Sequence, residues 1–315
     1  MLKRSCFVLT AFSFIFIIGI GELEASSAFN FLRYTSSARA AGIAGCFVSI
    51  PNDPSALFFN PASVATVTEK PLSATFFKHI LDINSGSISF ITNYKDWGTF
   101  AASAVYTSYG SFDRADATGN ITGDFSASDI SFGISYANKL DTNLFWGATA
   151  KFIYETIDTY SSSAFAVDLG LLYLLPDNRT NIGVSILHSG FQISKFENTS
   201  ESLPLDIRMG VSHRLEGLPL LVNLTFKSLA DKQDNFFERF LNFSIGGELY
   251  LGQYIQVRLG YDNEIRRLLT PDNNKKLSGF SGGLGIKLKE FNIDYAAQQV
   301  GLSALLHKFS INFNI

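Results

Sequence analysis

From Pro71 to the end, the chain repeats one pattern: runs of roughly ten residues in which apolar side chains alternate with small or polar ones, each closed by a turn. Clear runs are Ile130, Phe132, Ile134 and Tyr136; Phe165, Val167, Leu169, Leu171 and Tyr173; Leu220, Val222, Leu224 and Phe226; Ile255, Val257, Leu259 and Tyr261. A period of two puts the apolar residues on one face of a strand and the intervening Gly, Ser, Ala, Asn and Thr on the other. The pattern predicts about fourteen strands, beginning near Ser73, Ser87, Thr99, Asp129, Phe145, Ala164, Asn181, Leu205, Leu220, Leu241, Ile255, Phe280, Phe291 and Leu305.

The connections alternate in length. Tight turns are expected at Tyr94–Trp97, Leu140–Asn143, Pro176–Arg179, Glu216–Gly217, Gly252–Gln253 and Lys289–Glu290. Long polar loops are expected at Ser108–Ser128, Lys195–Ser202, Leu229–Glu238 and Asn263–Ser278. Short turns on one side and long loops on the other describe an all-β, closed antiparallel transmembrane β-barrel in the cell outer membrane. A soluble sandwich would use strands of about five or six residues and would leave long edges exposed. The last run, Phe309, Ile311, Phe313 and Ile315, alternates to the final residue and resembles the C-terminal signature of outer-membrane barrels.

Charges in the strands fall one residue out of phase with the apolar series: Asp168, Asp206, Arg208, Lys227, Arg258, Lys287 and Asp294. A Lys or Arg facing lipid at the bilayer midplane costs about 2–4 kcal/mol, so these side chains are expected in the lumen. Arg208 or Arg258 is expected to pair with lumen carboxylates or with backbone of an internal plug.

Composition agrees. The chain has 30 Phe, 12 Tyr and 25 Gly beside eight Pro, and its 17% of charged residues is below the usual soluble-domain share of about 25%. A net charge of -3 gives no nucleic-acid footprint. Outer-membrane lipid is the expected environment.

Before the strands, residues 1–27 read as an export signal. Lys3 and Arg4 precede an apolar run from Phe7 to Gly21, and Ala25, Ser26, Ser27 and Ala28 offer small residues for cleavage. Loss of Cys6 with the signal leaves Cys46 alone, so no internal disulfide can form. Residues 28–70 read as a plug and 71–315 as the barrel. In the plug, Asp53-Pro54 and Asn60-Pro61 each join a favoured helix N-cap to the proline that suits the first helical position, predicting short helices. Gly42 and Gly45, set among alanines, suit backbone packed closely on a wall. Loss of the Asn60 cap in an alanine variant is expected to cost about 1 kcal/mol.

Catalysis and metal binding are not expected. His79, His188, His213 and His307 lie far apart without ligand spacing. The adjacent pairs His188-Ser189 and Ser212-His213 point to opposite faces of their strands. No cofactor motif is present.

Ser37-Ala38-Arg39-Ala40-Ala41-Gly42, then Gly45, then Asp53-Pro54-Ser55-Ala56-Leu57-Phe58-Phe59-Asn60-Pro61-Ala62, resembles the N-terminal signature of PorV/PorQ-like proteins within the FadL-like superfamily of barrels. Asn60-Pro61-Ala62 is similar to the triplet in the hatch of FadL-type transporters. Ala44 and Ser63 depart from the pattern where glycine is common, and Phe58 and Phe59 stand where tyrosines are frequent. The resemblance implies a fourteen-stranded plugged barrel without enzymatic activity. Its PorV/PorQ side implies a part in type IX protein secretion or surface attachment, with secretion components or secreted cargo as partners. Its FadL side implies passive uptake of hydrophobic small molecules such as fatty acids or aromatics, leaving sideways.

Overall fold

The computed structural model describes residues 29–79, 82–196, 201–233, 235–269, 276–302 and 304–314. The export signal read at 1–27, Cys6 and Ile315 lie outside them. Fourteen strands follow the chain: β1 (Pro71–Lys78), β2 (Asn84–Tyr94), β3 (Gly98–Ala115), β4 (Ile121–Asp141), β5 (Leu144–Ile157), β6 (Tyr160–Leu174) and β7 (Thr180–Ser194). Then come β8 (Asp206–Arg214), β9 (Leu220–Phe226), β10 (Phe243–Leu251), β11 (Ile255–Asp262), β12 (Phe280–Lys287), β13 (Phe291–Val300) and β14 (Ala304–Asn314). Each pairs with its sequence neighbours, and β14 pairs antiparallel with β1 from Pro71 opposite Asn314 to Lys78 opposite His307, closing the barrel.

The two faces are inverted relative to a soluble fold. Phe132, Ile134, Leu169, Leu259 and Leu284 are exposed on the outer surface, whereas Ser73, Thr75, Ser87, Ser135, Thr149 and Ser310 are buried inside. Closure pairs every strand with two neighbours, so no strand is an edge strand along its whole length. An apolar outer belt on a closed antiparallel barrel is the outer-membrane architecture. No helix among the described residues is long and apolar enough to cross a membrane.

The wall is uneven. Strands β3 and β4 run 18 and 21 residues, whereas β8 to β12 run from seven to nine. The region expected as a loop at Ser108–Ser128 is mostly a two-stranded ribbon standing beyond the wall, turned at Asp116–Asn120. Its alternation is disguised by a register shift between Ser108 and Ser111, and Phe112 stacks on Phe125 across it. Leu241, expected to open β10, ends a 3-10 helix (Phe236–Leu241) instead. A short α-helix, Asn263–Leu268, occupies the next long connection. Lys287, expected inside, is the last residue of β12 and is exposed at the rim.

Inside the barrel lies the N-terminal segment. It comprises a 3-10 turn (Asn30–Arg33), helix α1 (Ala38–Gly42), and 3-10 helices at Pro54–Phe58 and Pro61–Thr66. Asp53 and Asn60 cap the last two, accepting from the Ser55 and Ala62 amides, each with proline next in line. Ser37 caps α1, a helix the sequence reading missed because a single Ser before Ala-Arg-Ala-Ala is a weak start signal. The role expected of Gly45 changes. Its φ of 77° makes it a turn residue, and a Cβ there would meet only the Thr35 hydroxyl at 3.9 Å. Gly42 is the one pressed on the wall, beside Arg258 and Gly283.

Candidate functional site

The lower lumen is packed solid by the plug. Glycines on the inner wall make this possible: a Cβ on Gly170 would lie 2.0 Å from Asn60 Oδ1, one on Gly183 2.1 Å from the Val48 oxygen, and one on Gly260 2.4 Å from the Ala44 nitrogen. Plug backbone therefore lies directly on wall backbone. Gly170→Ala is expected to cost about 1–3 kcal/mol by overpacking, measured by urea unfolding in micelles. Gly247→Ala, where the new methyl would meet only Leu220 Cδ1 at 3.6 Å, is the neutral control.

Polar wall side chains satisfy the buried plug backbone, which has no water to turn to. Ser185 donates to the Phe59 carbonyl at 2.7 Å, Ser212 to Ser49 at 3.1 Å and Ser87 to Ser36 at 3.0 Å. Ser310 accepts from the Ala38 amide and Ser281 from the Ala44 amide. Asn60 does more than cap. Its Nδ2 donates to the carbonyls of Val48 (2.8 Å) and Leu171 (2.9 Å), so one side chain joins two parts of the plug and strand β6.

An ion-pair chain anchors α1. Arg39 reaches Glu248 Oε1 at 2.7 Å and Asp53 Oδ2 at 2.8 Å. Glu248 also takes Arg258 Nε at 2.5 Å and the Tyr250 hydroxyl, and Arg258 continues to Asp294 at 2.7 Å. Pro54, Pro61 and Ala62 of the expected plug motif lie in the two capped turns. Arg208 pairs with Asp206 at 2.6 Å, and Asp168 with Lys151 at 2.5 Å. Lys227, at the end of β9, pairs with Asp262 and Glu264. Glu248 and Lys151, which complete these pairs, were missed. Their phase in the strand places them inward by the same rule, and strand register sets them beside the charges already singled out.

Toward the mouth that carries the long loops, the lumen changes character. Phe29, Phe31, Ile153, Ala164, Ala166 and Leu203 form a packed apolar cluster, with Leu32, Tyr34 and Val105 against it. The wall beside it is incomplete. Strand β7 pairs with β6 as far as Ser163 opposite Ser194, but with β8 only as far as Leu187 opposite Asp206. The divergence begins at a bulge, where a register shift sets Leu187 and His188 against Asp168. His188 has a φ of 60° there, and its amide donates to Asp168 Oδ1 at 2.8 Å. Lys151 Nζ, 3.3 Å from His188 Nδ1, completes the cluster that holds the bend.

Beyond it the β8-facing edge of β7, His188 to Ser194, runs beside the irregular residues 201–205 instead of a strand. The Glu201 amide donates there to the Gln192 side chain at 2.9 Å. Among the described residues, this seam is thus closed by side chains rather than by ladder hydrogen bonds. Phe191 and Ile193 stand outward from it. The sequence carries a trace of the bulge. Outward residues are even-numbered through Ile182, Val184 and Ile186 and odd-numbered at Phe191 and Ile193.

His188 meets no hydroxyl in these contacts, and His213 bonds Thr180 at an exposed turn while Ser212 serves plug backbone. No three His, Cys, Asp or Glu side chains converge as metal ligands among the described residues.

No family model and no curated protein matches the chain in sequence. Solved structures match in fold. A Pseudomonas aeruginosa FadL homologue aligns with a TM-score of 0.57 at 11% identity, covering 89% of this chain and 98% of its own. The monoaromatic hydrocarbon channel CymD aligns at 0.61 and 12%, covering 91% and 99%. The Pseudomonas putida toluene transporter TodX aligns at 0.56 and 13%, covering 88% and 96%. The closed fourteen-stranded barrel of this chain is therefore similar in fold to these three structures.

Proposed function

We propose that this chain is a non-enzymatic channel for hydrophobic small molecules, which settle against the apolar cluster at Phe29 and Phe31 and leave sideways into the membrane through the β7–β8 seam. The observation that carries this reading is the position of the seam: the wall lacks ladder pairing beside the apolar cluster at Phe29 and Phe31, above the part of the lumen that the plug fills. An apolar solute gains by burial against this cluster, at roughly 25 cal/mol per Å², and the plug occupies the lumen below. The names of the CymD and TodX structures, a monoaromatic hydrocarbon channel and a toluene transporter, support the same chemical class of ligand.

The test is uptake of toluene and of a long-chain fatty acid by cells that depend on this protein for it. Cysteines at Gln192 and Glu201, bridged by a short bifunctional thiol reagent that reduction releases, pin the seam shut. Uptake is expected to fall on the order of tenfold when bridged and to recover on reduction. No uptake by the unmodified protein, or uptake indifferent to the bridge, overturns the reading.

A second reading, a PorV/PorQ-type part in secretion or surface attachment, is favoured by the Ser37-to-Ala62 motif and by the sealed lower lumen. Recovery of secretion components or cargo with the solubilised protein, together with absent uptake, would select it.

A further inference from the structure

Asp129 on β4 and Glu155 on β5 are direct cross-strand partners, both facing inward and both buried, at 6% exposure each. Like charges placed opposite each other are destabilising, and burial sharpens the penalty. Every other inward carboxylate named above has a Lys or Arg within 3 Å. Among the described residues, no ion pair with a side-chain cation involves either Asp129 or Glu155. Asp129 accepts from the Tyr109 hydroxyl at 2.5 Å. Glu155 accepts, at 2.9 Å, from the backbone nitrogen of Phe29.

That nitrogen is special in its sequence setting. Ser26 and Ala28 put small residues three before and one before Phe29, the spacing a signal peptidase reads. Phe29 also has a φ of 58°, a conformation that costs an ordinary L-residue roughly 1–2 kcal/mol. A chain beginning at Phe29 has no preceding carbonyl, so that strain disappears.

We propose that the export signal is removed between Ala28 and Phe29, and that the new α-ammonium of Phe29 is the missing cation, clamped inside the barrel by Glu155 with Asp129 beside it. Water adds across the Ala28–Phe29 peptide bond, catalysed by a membrane signal peptidase. The C–N bond breaks, Ala28 leaves as a carboxylate, and the Phe29 nitrogen leaves as an ammonium after taking up the protons. The clamp fixes the first residue of the plug within the apolar cluster, next to Phe31 and Leu203. It does not depend on what the barrel transports.

The test has two measurements on protein purified from outer membranes. N-terminal sequencing with intact mass is expected to give Phe-Asn-Phe-Leu. A start at Ser26, Ser27 or any other residue, or an uncleaved chain, overturns the proposal. Labelling of the folded protein's α-amine with an amine-selective reagent near pH 8 is then compared with Glu155→Gln. A buried, paired ammonium stays protonated and labels slowly, so the variant is expected to label faster on the order of tenfold. A Phe29 start with equal labelling in both proteins overturns the clamp. The sequencing result stands whether or not the variant folds well.

Discussion

Glu248→Ala is expected to lower the unfolding free energy by about 3–5 kcal/mol, toward the lower end because both arginines keep a second carboxylate. Glu248 is fully buried and accepts from Arg39, Arg258 and Tyr250 together. Arg39 belongs to the plug and Arg258 to β11, so removing the glutamate cuts the tie between them and leaves two guanidinium groups facing a cavity. Asp53 still holds Arg39 and Asp294 still holds Arg258. Urea titration in micelles measures the loss as a shift in midpoint at unchanged slope. The wall ladder is untouched, so the variant should still form a barrel while the plug becomes open to protease. A loss below about 1 kcal/mol would mean that α1 is held by its backbone contacts and that the ion chain contributes little.

The barrel was legible in the sequence because lipid imposes a simple rule on every strand, apolar outside at a period of two, and the starts of β9, β11, β12 and β13 at Leu220, Ile255, Phe280 and Phe291 need no more than that. The capped turns at Asp53 and Asn60 were legible for a similar reason, since Asp-Pro and Asn-Pro carry their geometry locally. What was hidden depends on register. Nothing local marks Glu155 as the neighbour of Asp129, or Gly170 as the floor under Asn60, until β4, β5 and β6 are aligned. The Ser108–Ser128 ribbon was hidden because the register shift between Ser108 and Ser111 breaks its alternation and most of its side chains on both faces are exposed. The seam was half visible, in the change of parity between Ile186 and Phe191.

Ala44 shows how a strained backbone position is held. It has a φ of 56°, its amide bonds Ser281 and its backbone rests on Gly260. Ala44→Gly therefore relieves a backbone strain of roughly 1–2 kcal/mol and gives back part of it in unfolded-chain entropy. Neighbouring wall contacts hold that turn.

Asn60→Ala is expected to cost about 3 kcal/mol, some threefold more than loss of a helix cap alone. Asn60 is fully buried and its side chain makes three hydrogen bonds: Oδ1 accepts from Ala62, and Nδ2 donates to Val48 and Leu171. Alanine takes these bonds from the Val48 carbonyl and the Ala62 amide, and cuts the link to the Leu171 carbonyl in the β6 ladder, at a place packed against Gly170. The decisive comparison is Asn60→Asp. Aspartate caps helices as well as asparagine does, so a residue that only caps would tolerate the change. A residue that ties Val48 to Leu171 would not, because the carboxylate has no donors and would set its charge against both carbonyls. Asn60→Asp should therefore destabilise at least as much as Asn60→Ala, open the 48–62 region to protease, and raise the single-channel conductance of the reconstituted protein. Near-native stability of the aspartate variant would reduce Asn60 to a cap, and the Asn-Pro-Ala triplet would then fix a turn without fastening the plug to the wall.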